Sequence, residues 1–210
     1  MKKLTILGAA NPNVIRTIDS MNLKKQADII VECFVDNDKK KIGKDFMNTH
    51  VLDTQTFLEK YRKNDCFLFN SIASSMKERK EITEFYKNKG FQFISIIHPD
   101  IDTNYTKIGL GVFLQENSIV QSNCEVSDFV ILSSNSCIAH DSFIGKFTFI
   151  GPAVYICGKV EVGENCYISV GAKILPNVKI GKNSFIGAGS IVNKNVKANS
   201  RVIGTQVRVF

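Results

Sequence analysis

The chain has 210 residues, 27 Lys and Arg against 20 Asp and Glu, and a net charge of +7, enough length for one large or two small domains with a buried core. Its lysines are scattered and form no stripe alternating with aromatics. This argues against nucleic acid as a partner and fits either a solvated surface or a protein that handles anionic small molecules. No segment reaches the roughly eighteen apolar residues of a membrane span, and MKKLTILGAANPN has too short an apolar run for a signal peptide, so a cytoplasmic location is expected.

Residues 1–97 alternate strand and helix. Lys3–Leu7 is a predicted strand that ends in a Gly8-Ala9-Ala10 turn. Asn11 is placed to cap a helix with Pro12 at its first position, running to about Met21. Ile29–Val35 is a second, buried strand ending in Asp36-Asn37-Asp38. Asp53 caps a helix through Tyr61; Cys66–Asn70 is a third strand, Ser74–Asn88 a charged amphipathic helix, and Phe91–Ile97 a fourth strand after Gly90. Such alternation predicts a small parallel sheet of the Rossmann type, whose ligands sit at the carboxyl ends of the strands. The first turn of such a sheet meets phosphates, and an acid after the second strand reaches a ribose or base. Gly8 and Asp36 stand in those two positions. GAANPN is not GxGxxG, however, and a tight turn followed by a solvated acid accounts for the same two residues. His98-Pro99 opens an irregular linker spanning residues 98–107.

From Ile108 to Val192 every sixth residue is Ile, Val or Leu, with no slip in register. Four places after each stands a small or β-branched residue, such as Ser118, Cys124, Ser142, Val160 and Ala172. Neither an α-helix nor a simple strand keeps side chains in phase at six. A triangular parallel β-solenoid does, with three hexads per coil, both the aliphatic and the small residue pointing inward, and Gly, Asn, Pro and Lys at the turns. The repeats make about five coils, a prism about 24 Å tall at the usual strand spacing. Outward positions form three stripes: Phe113, Ile131, Phe149, Tyr167 and Phe185; Ile119, Cys137, Tyr155, Lys173 and Ile191; and the mostly charged Glu125, Phe143, Glu161, Lys179 and Lys197. A largely apolar face of this height predicts burial against copies of the same chain. The six cysteines include no CxxC pair, and Cys124 and Cys166 fall on inward positions, so all six read as reduced packing residues with no metal role.

Segments such as IGKNSFIGAGS and VGENCYISVGAK resemble the hexapeptide-repeat acyltransferases. An N-terminal Rossmann-like domain (1–97) followed by a solenoid (108–210) is similar, over essentially the whole chain, to the sialic acid O-acetyltransferase and nucleotide-aminosugar N-acetyltransferase family of bacterial surface-glycan pathways. Phe34-Val35-Asp36-Asn37, His98-Pro99 and His140-Asp141 match family segments; in the first, Asn37 replaces a second acid. The resemblance implies a left-handed β-helix, acetyl-CoA as co-substrate and a homotrimer with active sites between subunits. It also carries over Gly8, Asp36 and Asn37 for nucleotide contact. The family's G-A-S-G-H-G loop is GAANPN here and lacks its histidine, and Val202-Ile203-Gly204-Thr205-Gln206-Val207-Arg208 departs from the closing G-x-P-A motif.

Of the 3 histidines only His140 lies in the solenoid, at a turn position. This excludes the carbonic anhydrases that share the repeat, because they bind zinc through three histidines. Acetyl transfer from a thioester to an amine needs a base, and an imidazole suits that task; a surface histidine at a turn is the plainer alternative. The resemblance implies His140 as general base with Asp141 orienting it, and Gly158, one coil on, as the amide donor to the oxyanion. Many relatives have a second histidine nine residues after the catalytic one, lining the acetyl pocket; Phe149 stands there instead. The activity expected is N-acetylation of a nucleotide-linked amino sugar by direct attack. O-acetylation of a sugar hydroxyl and a non-catalytic trimeric scaffold are the rival readings.

Overall fold

The computed structural model describes residues 1–204, which form two compact units, Met1–Pro99 and Asp100 onward. Residues 205–208, which complete the departure from the closing motif, lie outside the described residues.

In the first unit, β1 (Lys2–Leu7), β2 (Ile29–Val35), β4 (Thr49–Leu52) and β5 (Phe67–Asn70) pair in parallel, in the order β4-β2-β1-β5. The helices between them are α1 (Asn13–Leu23), α2 (Thr54–Lys60) and α3 (Met76–Asn88). Central β1 is apolar for a reason: Leu4, Ile6 and Leu7 are essentially fully buried, as expected of a strand with partners on both edges. Asp53 caps α2 by accepting the Thr56 N–H at 2.9 Å, and Ser75 caps α3 by accepting the Glu78 N–H. Pro12, rather than Asn11, holds the cap position of α1, but the Asn11 side chain still accepts the Asn13 N–H at 3.1 Å. Lacking an N–H of its own, Pro12 leaves that side chain the next donor along.

Two features differ from the sequence reading. The predicted fourth strand, Phe91–Ile97, does not form as one element. Phe93 makes a single parallel bridge to Leu68 and only Ile96–Ile97 (β6) is extended. A short hairpin, β3 (Asp45–Phe46) with β4, was not expected. Its turn residues Met47 and Asn48 both take positive φ, the conformation usually signalled by Asn-Gly, and Met-Asn gives no such signal.

The second unit is the solenoid. Three sheets stack two-residue strands in parallel, the first and third with five strands each and the second longer, successive coils lying three hexads apart from Lys107 to Val192. The first face runs from Lys107–Ile108 through Phe143–Ile144 to Lys179–Ile180, and the third from Ile119–Val120 through Cys137–Ile138 and Tyr155–Ile156 to Ile191–Val192. The second runs from Phe113–Leu114 through Phe149–Ile150 to Phe185–Ile186 and on to Arg201–Val202. The inward aliphatics are buried throughout except Ile108, at the first coil. Each such side chain contributes about 1.5–3 kcal/mol of transfer free energy, so the column outweighs any single turn.

The inward small residues also bond to the corners. Thr148 Oγ1 donates to Gly163 O at 2.9 Å, and Ser142 Oγ to Cys157 O at 3.1 Å. Asn123, Asn135, Asn165, Asn177 and Asn183 take positive φ at the turns, a conformation asparagine tolerates better than most residues.

The outward stripes divide differently from the sequence expectation. Phe113, Ile131 and Phe149 are buried within the protomer, at 0%, 1% and 8% exposure. Phe149 stacks on Tyr167 at 4.8 Å, Tyr167 on Phe185 at 5.4 Å, and the Arg201 guanidinium lies over Phe185. The apolar face left open is the third, with Ile119, Tyr155 and Ile191 at 53%, 46% and 39% exposure.

Candidate active site

His140 follows the third-face strand Cys137–Ile138 and precedes the first-face strand Phe143–Ile144, so it stands on the corner joining those faces. Its backbone is held from both neighbouring coils. The N–H donates to Gln121 Oε1 at 3.0 Å, and the carbonyl accepts from Lys159 N–H at 2.9 Å and from Ser142 Oγ at 3.3 Å. The imidazole itself remains 57% exposed. Nδ1 lies 2.8 Å from Asp141 Oδ2. Bonding to His140, then to Asn123, holds the Asp141 carboxyl below its usual range. An ionised carboxylate only accepts, so Nδ1 carries the shared proton and Nε2 presents its lone pair.

Asp141 sits at φ +59, the left-handed turn conformation that aspartate and asparagine tolerate better than most residues. A further bond from Asn123 Nδ2 to Asp141 Oδ1, at 3.2 Å, fixes the other carboxylate oxygen.

One coil on, Gly158 faces the ring. A Cβ at this position would lie 2.6 Å from His140 Nε2 and 2.7 Å from Cε1, closer than atoms approach, so the ring occupies the space that the glycine leaves. Among the described residues nothing accepts the Gly158 N–H, whereas the neighbouring Cys157 and Lys159 amides donate to Ile174 O and His140 O. The corner therefore brings together an imidazole nitrogen with a free lone pair and an unpaired amide donor, one to take a proton and one to face a developing oxyanion. Phe149 is not brought to His140 within a protomer. It lies on the second face, stacked on Tyr167.

In the first unit, Gly8, Asp36 and Asn37 line a cavity of about 1030 Å³ at the carboxyl ends of β1, β2 and β5, completed by Ser71 and by Glu78 and Phe85 of α3. Gly8 has φ +90, and a Cβ there would press on Ile72 Cγ1 at 2.7 Å, so the turn requires glycine. Burial raises the Asp36 pKa, but bonds from Lys41 Nζ (2.7 Å), Ala9 N–H (2.9 Å) and Asp38 N–H (2.9 Å) outweigh it, and the net direction is down. The Asn37 side chain accepts the Thr54 N–H at 3.0 Å. Asp36 and Asn37 thus also fasten the strand ends that carry them, a role sequence reasoning left out. Lys41, Gln121 and Asn123 were missed as well; nothing in a single sequence marks a lysine or an amide as the partner of a carboxylate five or eighteen residues away, or of a backbone N–H nineteen away.

Residues 141–174 and 162–194 match the family model described as bacterial transferase hexapeptide (six repeats). Residues 141–194 are hexapeptide repeats of the bacterial transferase kind. Among solved structures, PerB from Caulobacter crescentus, in complex with CoA and GDP-perosamine, is 24% identical, with 97% of this chain and 95% of that chain covered and a TM-score of 0.85. The acetyltransferase domain of PglB from Neisseria gonorrhoeae, in complex with acetyl coenzyme A, is 22% identical, with 95% of each chain covered and a TM-score of 0.83. WeeI from Acinetobacter baumannii is 20% identical, with 100% of both chains covered and a TM-score of 0.85. None of the curated proteins matches the sequence significantly. The fold of these solved structures is therefore the fold of this chain, and its second unit carries the His140–Asp141–Gly158 corner.

Proposed function

We propose that the protein is an acetyl-CoA-dependent N-acetyltransferase acting on the amino group of a nucleotide-linked amino sugar, in bacterial surface-glycan biosynthesis in the cytoplasm. The observation that carries this reading is the His140 corner, where an oriented imidazole and the free Gly158 amide stand within one side chain's width. The amine nitrogen attacks the thioester carbonyl and yields its proton to His140 Nε2. The carbonyl oxygen, now negative, accepts from Gly158 N–H. Collapse breaks the C–S bond, and the departing thiolate of coenzyme A takes the proton from the imidazolium, leaving amide and thiol with the base restored. Asp141 keeps the proton on Nδ1 throughout, and no acyl-enzyme is formed.

The cavity holding Gly8, Asp36 and Asn37 takes the nucleotide, in a Rossmann-like domain. The solenoid is left-handed with about five coils, and the protein is a homotrimer with its sites between subunits. The fold shared with the CoA-bound and GDP-perosamine-bound PerB supports this assignment. Steady-state assays should offer acetyl-CoA with GDP-, UDP- and dTDP-linked 4-amino sugars and their 4-hydroxy counterparts. At least one amino compound is expected to turn over, and His140→Ala to lower kcat by about 10²–10⁴-fold with Tm unchanged. Turnover of hydroxy compounds alone, or a loss under tenfold in His140→Ala, overturns the reading.

A further inference from the structure

Asparagine side chains bond from coil to coil at two corners of the solenoid. On one, Asn165 Nδ2 donates to Asn183 Oδ1 at 2.9 Å, and Asn183 Nδ2 to Asn199 Oδ1 at 3.0 Å. These residues sit at positive φ, and their bonds join one turn to the next. On the corner that carries His140 the same device has a different end. Asn123, at φ +62, donates from Nδ2 to Asp141 Oδ1 at 3.2 Å, and the second oxygen of that carboxylate faces His140 Nδ1 at 2.8 Å. Asn123 therefore stands two hydrogen bonds from His140 Nδ1, the ring nitrogen opposite the Nε2 that would take a proton.

We propose that Asn123 is a positioning residue for the reaction, acting through Asp141 to hold the imidazole in its Nδ1–H form with Nε2 turned to the Gly158 amide. The physical reason is rotational. The Asp141 side chain is 40% exposed, and a carboxylate with one anchored oxygen is free to swing about χ2. Anchoring Oδ1 from the preceding coil leaves Oδ2 one place to point. Gln121, from the same coil, fixes the backbone of the histidine in parallel, at 3.0 Å. The charged group facing this cluster from the following coil is Lys159, whose field adds to the attraction on Asp141. The inference rests on the reading of His140 as the base for its kinetic consequences, but not for its statement about the ring.

Two variants keep the positive φ that the site requires. Asn123→Gly deletes the side chain without backbone strain, and Asn123→Asp keeps its shape while placing a second negative charge against Asp141. Asn183→Gly serves as the control, since it removes the two equivalent bonds that Asn183 makes on the other corner. Nitrogen-15 NMR of the imidazole reads the tautomer directly. The wild type should show the proton on Nδ1, Asn123→Gly a mixture of both tautomers, and Asn183→Gly the wild-type pattern. In assays with acetyl-CoA and GDP-perosamine, or whichever amino sugar nucleotide turns over, Asn123→Gly should lower kcat about three- to tenfold with both KM values unchanged. In an Asp141→Gly background, which also keeps the positive φ, it should have no further effect, because its route is gone. Asn123→Asp should move the acidic limb of kcat/KM to higher pH, since an added anion retains the proton on the base. An unchanged tautomer in Asn123→Gly, or the same kcat loss in Asn183→Gly, overturns the proposal. If no amino sugar is acetylated by the wild type, the function proposed above fails while the NMR result still decides the role of Asn123.

Discussion

At the scale of single residues, the active corner depends on absent atoms as much as on present ones. Gly158 is not at positive φ, so its backbone accepts alanine without strain. What alanine does is meet His140 Nε2 at 2.6 Å. Gly158→Ala is therefore expected to fold normally, with Tm within a few degrees of wild type, yet to swing the ring off Asp141 and lower kcat about 10²-fold. Retention of full activity would show that the ring has room elsewhere and that the close approach is incidental. Ser142 is a contrasting case: its hydroxyl serves both the His140 and Cys157 carbonyls from inside the prism, so it couples the site to the core rather than to the substrate.

At the scale of elements, two features of the first unit set its response to pH and to mutation. Asp36 ties the β2 end to the turn after β1 and to Lys41, and its carboxyl is held below the usual value. A carboxyl with a depressed folded-state pKa contributes stability that is complete above its unfolded value of about 3.9 and is lost as pH falls through the folded one. Thermal melts between pH 6 and pH 2, fixed by experiment, should show Asp36→Asn with lower Tm at pH 6 and a shallower fall in acid. Parallel curves for the two proteins would deny Asp36 that contribution. On α3, Arg79 is 1% exposed, with Nη2 unpaired and Nη1 against Met76 Sδ at 3.8 Å. Burial lowers its pKa to about 9, the mark of a charge held at a cost. Arg79→Met fills much the same volume without that charge and should raise stability by about 1–2 kcal/mol, read as a Tm increase of roughly 2–4 °C per kcal/mol. A fall in Tm would mean that the guanidinium is satisfied by a group outside this chain.

At the scale of the whole molecule, a solenoid of near-identical coils distributes its stability over many weak neighbours while leaving its faces unequal. The second face buries Phe113, Ile131 and Phe149, so the apolar surface left open lies on the third, where Ile119, Tyr155 and Ile191 remain exposed. Under the trimer proposal, charges on that face oppose assembly directly. Tyr155→Glu with Ile191→Glu should convert the sedimenting species from trimer to monomer and abolish turnover with it, because the sites are proposed to lie between subunits. A double variant that sediments as wild type would place the assembly surface elsewhere. Among the described residues no helix is long and apolar enough to cross a membrane, and no group of three or more His, Cys, Asp or Glu is arranged to hold a metal.

The sixfold recurrence from Ile108 to Val192 was readable at sight because it is local: each aliphatic repeats at a fixed count along the chain, and every coil obeys the same count. His140-Asp141 was readable for a related reason, since the repeat assigns any residue to a wall or a corner. The breaking of Phe91–Ile97 and the β3–β4 hairpin were not readable; apolar runs look alike whether a partner edge is available or not. Nor was the burial of Phe113 and Ile131, although the period correctly set them facing out. Most of the site's geometry belonged to the tertiary structure alone. Nδ1 meets Asp141, Asn123 reaches the other oxygen and the ring fills the place of a Gly158 side chain because three successive coils stack in register and rotamers settle against them. Periodicity fixes which residues share a corner, and only packing decides which of their atoms touch.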